Sequence, residues 1–93
     1  MFHEEYLRWM RNWRARYRRS FGTIDSQCSY ACKDMKQAFP ELQIHEGFVL
    51  EGLHHFWMVH PISKVVYDPT RTQFGTMKRL EYRTLAIHKK ISW

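Results

Sequence analysis

Phe2, Tyr6, Trp9, Met10, Trp13, Tyr17 and Phe21 recur at spacings of three and four at the start of a 93-residue chain. That period marks one face of an amphipathic helix. A helix this long uses about a fifth of the chain, and its aromatic stripe must be covered by whatever follows. Arg8, Arg11, Arg14, Arg16, Arg18 and Arg19 fill the positions between, so the other side reads as solvated. Glu4 and Glu5 near the start and Arg18 and Arg19 near the end agree in sign with the helix dipole. Gly22 supplies a natural stop.

Residues 20–26 read as a loop. Asp25 or Ser26 is placed to cap a second helix running through Cys28, Ala31, Met35 and Ala38 and ending before Pro40. From residue 42 to 50 the pattern changes, with Ile44, Phe48 and Leu50 at even spacing, until Gly52 breaks it. Residues 55–59 and 64–68 follow as strands around the turn His60-Pro61-Ile62-Ser63. Residues 69–77 read as a loop, and residues 80–93 contain a strand with Leu85, Ile87 and Ile91 on one side. Two N-terminal helices followed by a small antiparallel sheet make an α+β domain. The chain is too short for two cores, so residues 1–93 form one domain. Within it lie a basic helix (1–21), a central core (26–75) and a C-terminal strand region (76–93).

Composition excludes several classes. No run approaches the roughly 18 apolar residues of a membrane span, so no membrane partner is expected. The N-terminus lacks the basic-then-apolar order of a secretory signal, so the expected location is cytoplasmic. Cys28 and Cys32 are four apart and share one helical face, where a bridge would close a very short loop; free thiols are expected. His54, His55 and His60 with the two cysteines fit no standard zinc spacing, so neither a metal nor another cofactor is expected.

Cys28 stands where the second helix begins. Unpaired backbone N–H groups and the positive end of the dipole favour thiolate there, and the same N–H groups can hold an oxyanion. Cys32, one turn deeper, reads as a packing residue. If Pro61 and Ile62 form a two-residue hairpin tip, His55 lies directly opposite Asp68 on one face, and His54 points to the other. A one-residue slip would undo this. Cysteine, histidine and aspartate in this arrangement suit a nucleophile, its base and an orienting carboxylate. The plainer readings stand beside it: an inert buried thiol, an ordinary His–Asp pair, and Asp68-Pro69-Thr70 as a strand cap opening a turn.

Cys28, then Phe39-Pro40-Glu41-Leu42, Gly47, His55-Phe56-Trp57-Met58-Val59 and Asp68-Pro69-Thr70 with Gln73-Phe74 resemble a pattern in short, uncharacterised bacterial and phage proteins. The resemblance covers about residues 27–75. More distantly, the Cys…His-aromatic…Asp-Pro order is similar to the core of transglutaminase-like and papain-like cysteine enzymes. It implies Cys28 as nucleophile, His55 as base and Asp68 as orienting carboxylate, acting on a peptide or protein amide. Gln73 enters through the family pattern as an oxyanion donor; Gln27, beside the nucleophile, is a second candidate or a surface glutamine.

The first helix supports a different reading. The chain carries a formal charge of +6, and +4 of it sits in the first twenty residues. Six arginines interleaved with aromatics would suit a non-catalytic module that engages nucleic acid or an acidic protein surface. The helical period of Trp9, Trp13 and Tyr17 assigns them to the inward stripe, leaving the arginines for an acidic partner. Any part of that stripe left exposed would also allow a homodimer.

Overall fold

A computed structural model describes residues 2–75 and 80–89. The element order is α1 (Phe2–Phe21), α2 (Cys28–Ala38), β1 (Gln43–Val49), β2 (Leu53–Val59), β3 (Val66–Tyr67), a 3₁₀ turn (Arg71–Phe74) and β4 (Tyr82–His88). The four strands form one antiparallel sheet in the order β3-β2-β1-β4. This is the expected α+β arrangement.

α1 ends as its sequence requires. Gly22 takes φ +82 and its N–H donates to the Arg18 carbonyl at 2.7 Å, a left-handed stop open to glycine at little cost. Tyr6, Met10 and Trp13 are buried, with Trp9 and Tyr17 partly so. The stripe does not stay inward to its end: Phe21 is 68% exposed. The side chain of Phe2 lies outside the described residues.

α2 begins at Cys28, and neither Asp25 nor Ser26 caps it. The N-cap is Gln27, without a side-chain cap bond, and Ser26 takes φ +62. Ile24 explains the offset. It is buried against Trp13 and Ala31, which pulls the loop onto the core and moves the helix start past the capping residues. The far end is as expected, with Phe39 N–H on the Met35 carbonyl just before Pro40.

The largest core cluster joins both helices to the sheet through Tyr6, Met10, Cys32, Met35, Leu42, Ile44, Met58 and Tyr67. A second cluster gathers Val49, Trp57 and Val59 against Val66, Phe74, Leu80 and Tyr82. Alternate residues of β2 thus serve different clusters, as a strand's period of two dictates.

The connection from β2 to β3 departs from a two-residue tip. The observed pairs are Met58↔Tyr67 and Val59↔Val66, and His60 N–H donates to the Val65 carbonyl at 3.1 Å. Four residues, Pro61 to Lys64, form the turn. His60 Nδ1 accepts from the N–H groups of Ile62 and Ser63, and Lys64 takes φ +63. The ladder stops at Tyr67, so β3 is far shorter than residues 64–68. The register moves by two residues, which preserves the face of every side chain.

β1 and β4 shift register between Glu46 and Gly47, leaving Leu85 as the extra residue of a bulge. Leu85 and Ile87 lie at the sheet edge, 67% and 57% exposed; Ile91 lies outside the described residues. Gly47 is required at the shift, because a Cβ there would sit 1.9 Å from the Arg83 carbonyl oxygen. No helix among the described residues is long and apolar enough to cross a membrane.

Candidate active site

Asp68 follows β3 directly. Counting on from the observed pairs, it falls opposite Trp57 and diagonal to His55, within reach of a long side chain on the same face. The contact is made: His55 Nε2 and Asp68 Oδ2 are 2.8 Å apart, with the histidine 1% and the aspartate 5% exposed. A residue one place earlier or later would point away.

The two carboxylate oxygens of Asp68 have different tasks. Oδ1 accepts from the Thr70 N–H at 3.1 Å and the Thr70 hydroxyl at 3.4 Å, closing an Asx-type turn across Pro69. Oδ2 accepts from His55 and from the Tyr82 hydroxyl at 3.0 Å. Asp68-Pro69-Thr70 therefore caps the end of the strand and orients His55 together. Thr70 is completely buried, and Gln73 Nε2 donates to its hydroxyl at 3.0 Å.

Arg14 sets the backbone of the same segment. Its Nε donates to the Pro69 carbonyl at 2.7 Å and one Nη to the Asp68 carbonyl at 3.2 Å. Arg18 reaches the Thr72 hydroxyl at 3.0 Å. These two arginines serve the site loop, in contrast to the expectation that all six face a partner. The sequence signal was present for Arg14: four residues after Met10 and about 40° round the helix from it, it flanks the edge of the buried stripe.

The ring of His55 is held by its neighbours. Phe74 meets it edge-on at 5.1 Å between centroids, and Trp57 lies nearly parallel at 6.1 Å. Burial pulls the His55 pKa down. The hydrogen bond to Asp68, then that to Cys28, outweigh it and push the pKa up to about 9. With Nε2 committed to Asp68, Nδ1 is the nitrogen left to meet a proton donor or acceptor from α2. The structure thus brings Cys28, His55 and Asp68 together, across α2, β2 and the segment after β3.

Cys28 is partly accessible and Cys32 fully buried. Burial pushes the Cys32 thiol up, reinforced by the nearby Asp68 charge. At the start of α2 the first N–H with a helical acceptor is that of Ala31, which donates to the Gln27 carbonyl at 3.0 Å. The amides before it have no side-chain cap and present the positive end of the helix beside Cys28. Gln27 and Gln73 are both near but both engaged. Gln27 Oε1 accepts from Tyr17 at 2.7 Å and its amide nitrogen donates to the Asp25 carbonyl at 3.4 Å. Gln73 Oε1 accepts from Ser26 N–H at 3.2 Å, tying the loop before Cys28 to the loop after Asp68.

His54 lies apart, exposed, with Nε2 2.6 Å from Glu46 Oε2; His88 Nε2 is 2.7 Å from the other oxygen. Among the described residues, no three His, Cys, Asp or Glu side chains are placed to hold a metal ion. In comparisons with known proteins, no family model matches the chain, and no curated protein or solved structure matches it.

Proposed function

We propose that the protein is a cysteine hydrolase or acyltransferase acting on a carboxamide or peptide bond. The observation that carries this reading is the buried His55–Asp68 pair, with the thiol at the open start of α2 near enough to raise the His55 pKa. An inert structural cysteine needs no such partner, and Cys32 one turn away has the enclosed environment expected of one.

The proton of Cys28 passes to His55 Nδ1, while Asp68 holds Nε2–H and stabilises the imidazolium. Cys28 Sγ attacks the carbonyl carbon, and the developing oxyanion meets the uncapped N–H groups of the first turn of α2. The tetrahedral adduct collapses as His55 returns the proton to the departing amine, leaving a thioester. Water or a second amine then attacks the thioester, His55 taking and giving back the proton again. Water makes the enzyme a hydrolase or deamidase, and an amine makes it a transferase.

Intact-mass labelling with iodoacetamide across pH tests the nucleophile. Wild-type protein is expected to take one label, on Cys28, at a rate that drops in His55→Ala. The acyl step is read by incubating the protein with glutamine-containing peptides and searching for a mass adduct on Cys28 that water or added glycinamide discharges. A Cys28 inert below about pH 8, near the reference thiol value, and indifferent to His55→Ala would sink the assignment.

A further inference from the structure

The outer side of α1 takes no part in the site. At 3.6 residues per turn, Arg8, Arg11, Arg16 and Arg19 fall within one arc of about 140°, and all four are exposed. Arg14 lies outside that arc and bonds Pro69, while exposed Arg18, at the edge of the arc, is engaged with Thr72. The ion pairs found among the described residues join histidines to Glu46 or Asp68. Glu4 and Glu5 fall in the same arc near its start, which leaves a net charge of +2 over about 16 Å of helix at 1.5 Å per residue, with the excess towards Arg16 and Arg19.

Arg16 also lines an open groove of about 260 Å³ with Trp13, Tyr17, Ser20, Phe21 and Asp34. The aromatic members form a continuous stack. Trp13 and Tyr17 lie 4.5 Å apart at 20°, and Tyr17 and Phe21 4.5 Å apart at 37°. It starts at buried Trp13 and ends in solvent at Phe21, the residue where the helix's apolar stripe leaves the core.

We propose that this surface binds single-stranded nucleic acid, with a base stacked on Phe21 in the groove and phosphates along Arg8, Arg11, Arg16 and Arg19. A stack of rings with a cation, Arg16, at its edge and further arginines leading away from it is the combination that strands without paired partners use. An acidic peptide would meet the arginines but has no use for the stack. Asp34 sharpens the distinction. Trp13 Nε1 donates to its Oδ2 at 2.9 Å, fixing at the groove a carboxylate that can accept from the exocyclic amine of a base. Duplex is disfavoured because its bases are already stacked on one another.

Fluorescence anisotropy with labelled oligodeoxycytidylate of about 12 nucleotides tests this, within the usual site size of such surfaces. Affinity is expected to fall with salt, and Arg8→Ala or Arg16→Ala should each reduce the slope of log K against log salt by about 0.7. Phe21→Ala should weaken binding roughly 5- to 150-fold while leaving that slope in place. Cys28→Ser should bind as wild type, which separates this surface from the cysteine site. Absence of binding at low salt, Phe21→Ala binding as tightly as wild type, or an unchanged slope in the arginine variants would overturn the proposal. So would polyglutamate or the matching duplex competing as well as the single strand.

Discussion

Asp68→Asn isolates the element on which the candidate site depends. Asn can keep a carbonyl oxygen in the Oδ1 position, where the Thr70 amide and hydroxyl donate, so the turn across Pro69 survives. Its NH₂ then faces His55 Nε2 and the Tyr82 hydroxyl in place of Oδ2. Nε2 must become an acceptor, which moves the ring proton to Nδ1 and removes the base that faces Cys28. In the wild type, burial pulls the His55 pKa down while the bonds to Asp68 and Cys28 raise it from 6.5 to about 9. That difference is worth about 3 kcal/mol in favour of the protonated ring in the fold. Because the folded value lies above the unfolded one, this stabilisation is fully present below about pH 6.5 and is lost as pH rises through about 9. Asp68→Asn should lower the His55 midpoint from about 9, because burial is then opposed by Cys28 alone. Histidine-labelled NMR titration reads the midpoint, and urea unfolding at about pH 6 and about pH 9.5 reads the matching loss of stability. A wild-type His55 titrating at or below 6.5, or a midpoint unmoved in Asp68→Asn, would refute the reasoning.

Tyr82→Phe removes a competing donor from Asp68 Oδ2; it should cost about 1 kcal/mol in chemical unfolding and raise the His55 midpoint further. Gly47→Ala forces a Cβ against the Arg83 carbonyl, and denaturation should show a loss of about 1–3 kcal/mol with faster amide exchange in β4. Glu46 is held below the usual carboxylate range by the His54 and His88 bonds. Its contribution is therefore present above the unfolded carboxylate pKa and lost as pH falls through the folded one, and acid-unfolding curves of Glu46→Gln should lack that part of the decline.

The helices were legible because their signals are local. The aromatic repeat, Gly22 and Pro40 set α1 and the end of α2 within a few residues of themselves. Ile24 was not legible as an anchor, since nothing in the loop's own pattern says that one side chain reaches Trp13 and shifts the start of α2. The β2–β3 turn misled for a similar reason. Its width is decided by His60 Nδ1 accepting two amides, a side-chain event that alternation along the strands does not carry. His55 and Asp68 still met, because an error of two residues leaves parity unchanged. Tyr82 gave no signal at all: it stands 14 residues beyond Asp68, and the sheet alone brings its hydroxyl to the carboxylate.

By itself, then, the order of residues determined which faces pair: a cysteine at a helix start, and a histidine and an aspartate of matching parity. Periodicity is a property of neighbours along the chain, and parity survives small errors of register. Tertiary structure decided the rest. It assigned Nε2 to Asp68 and so left Nδ1 uncommitted, gave each oxygen of Asp68 its own donors, and turned Arg14 inward onto the site loop while Arg8, Arg11, Arg16 and Arg19 stayed in solvent. Contacts of 2.7–3.2 Å depend on bulge, turn width and helix docking together, and no single stretch of chain contains that combination.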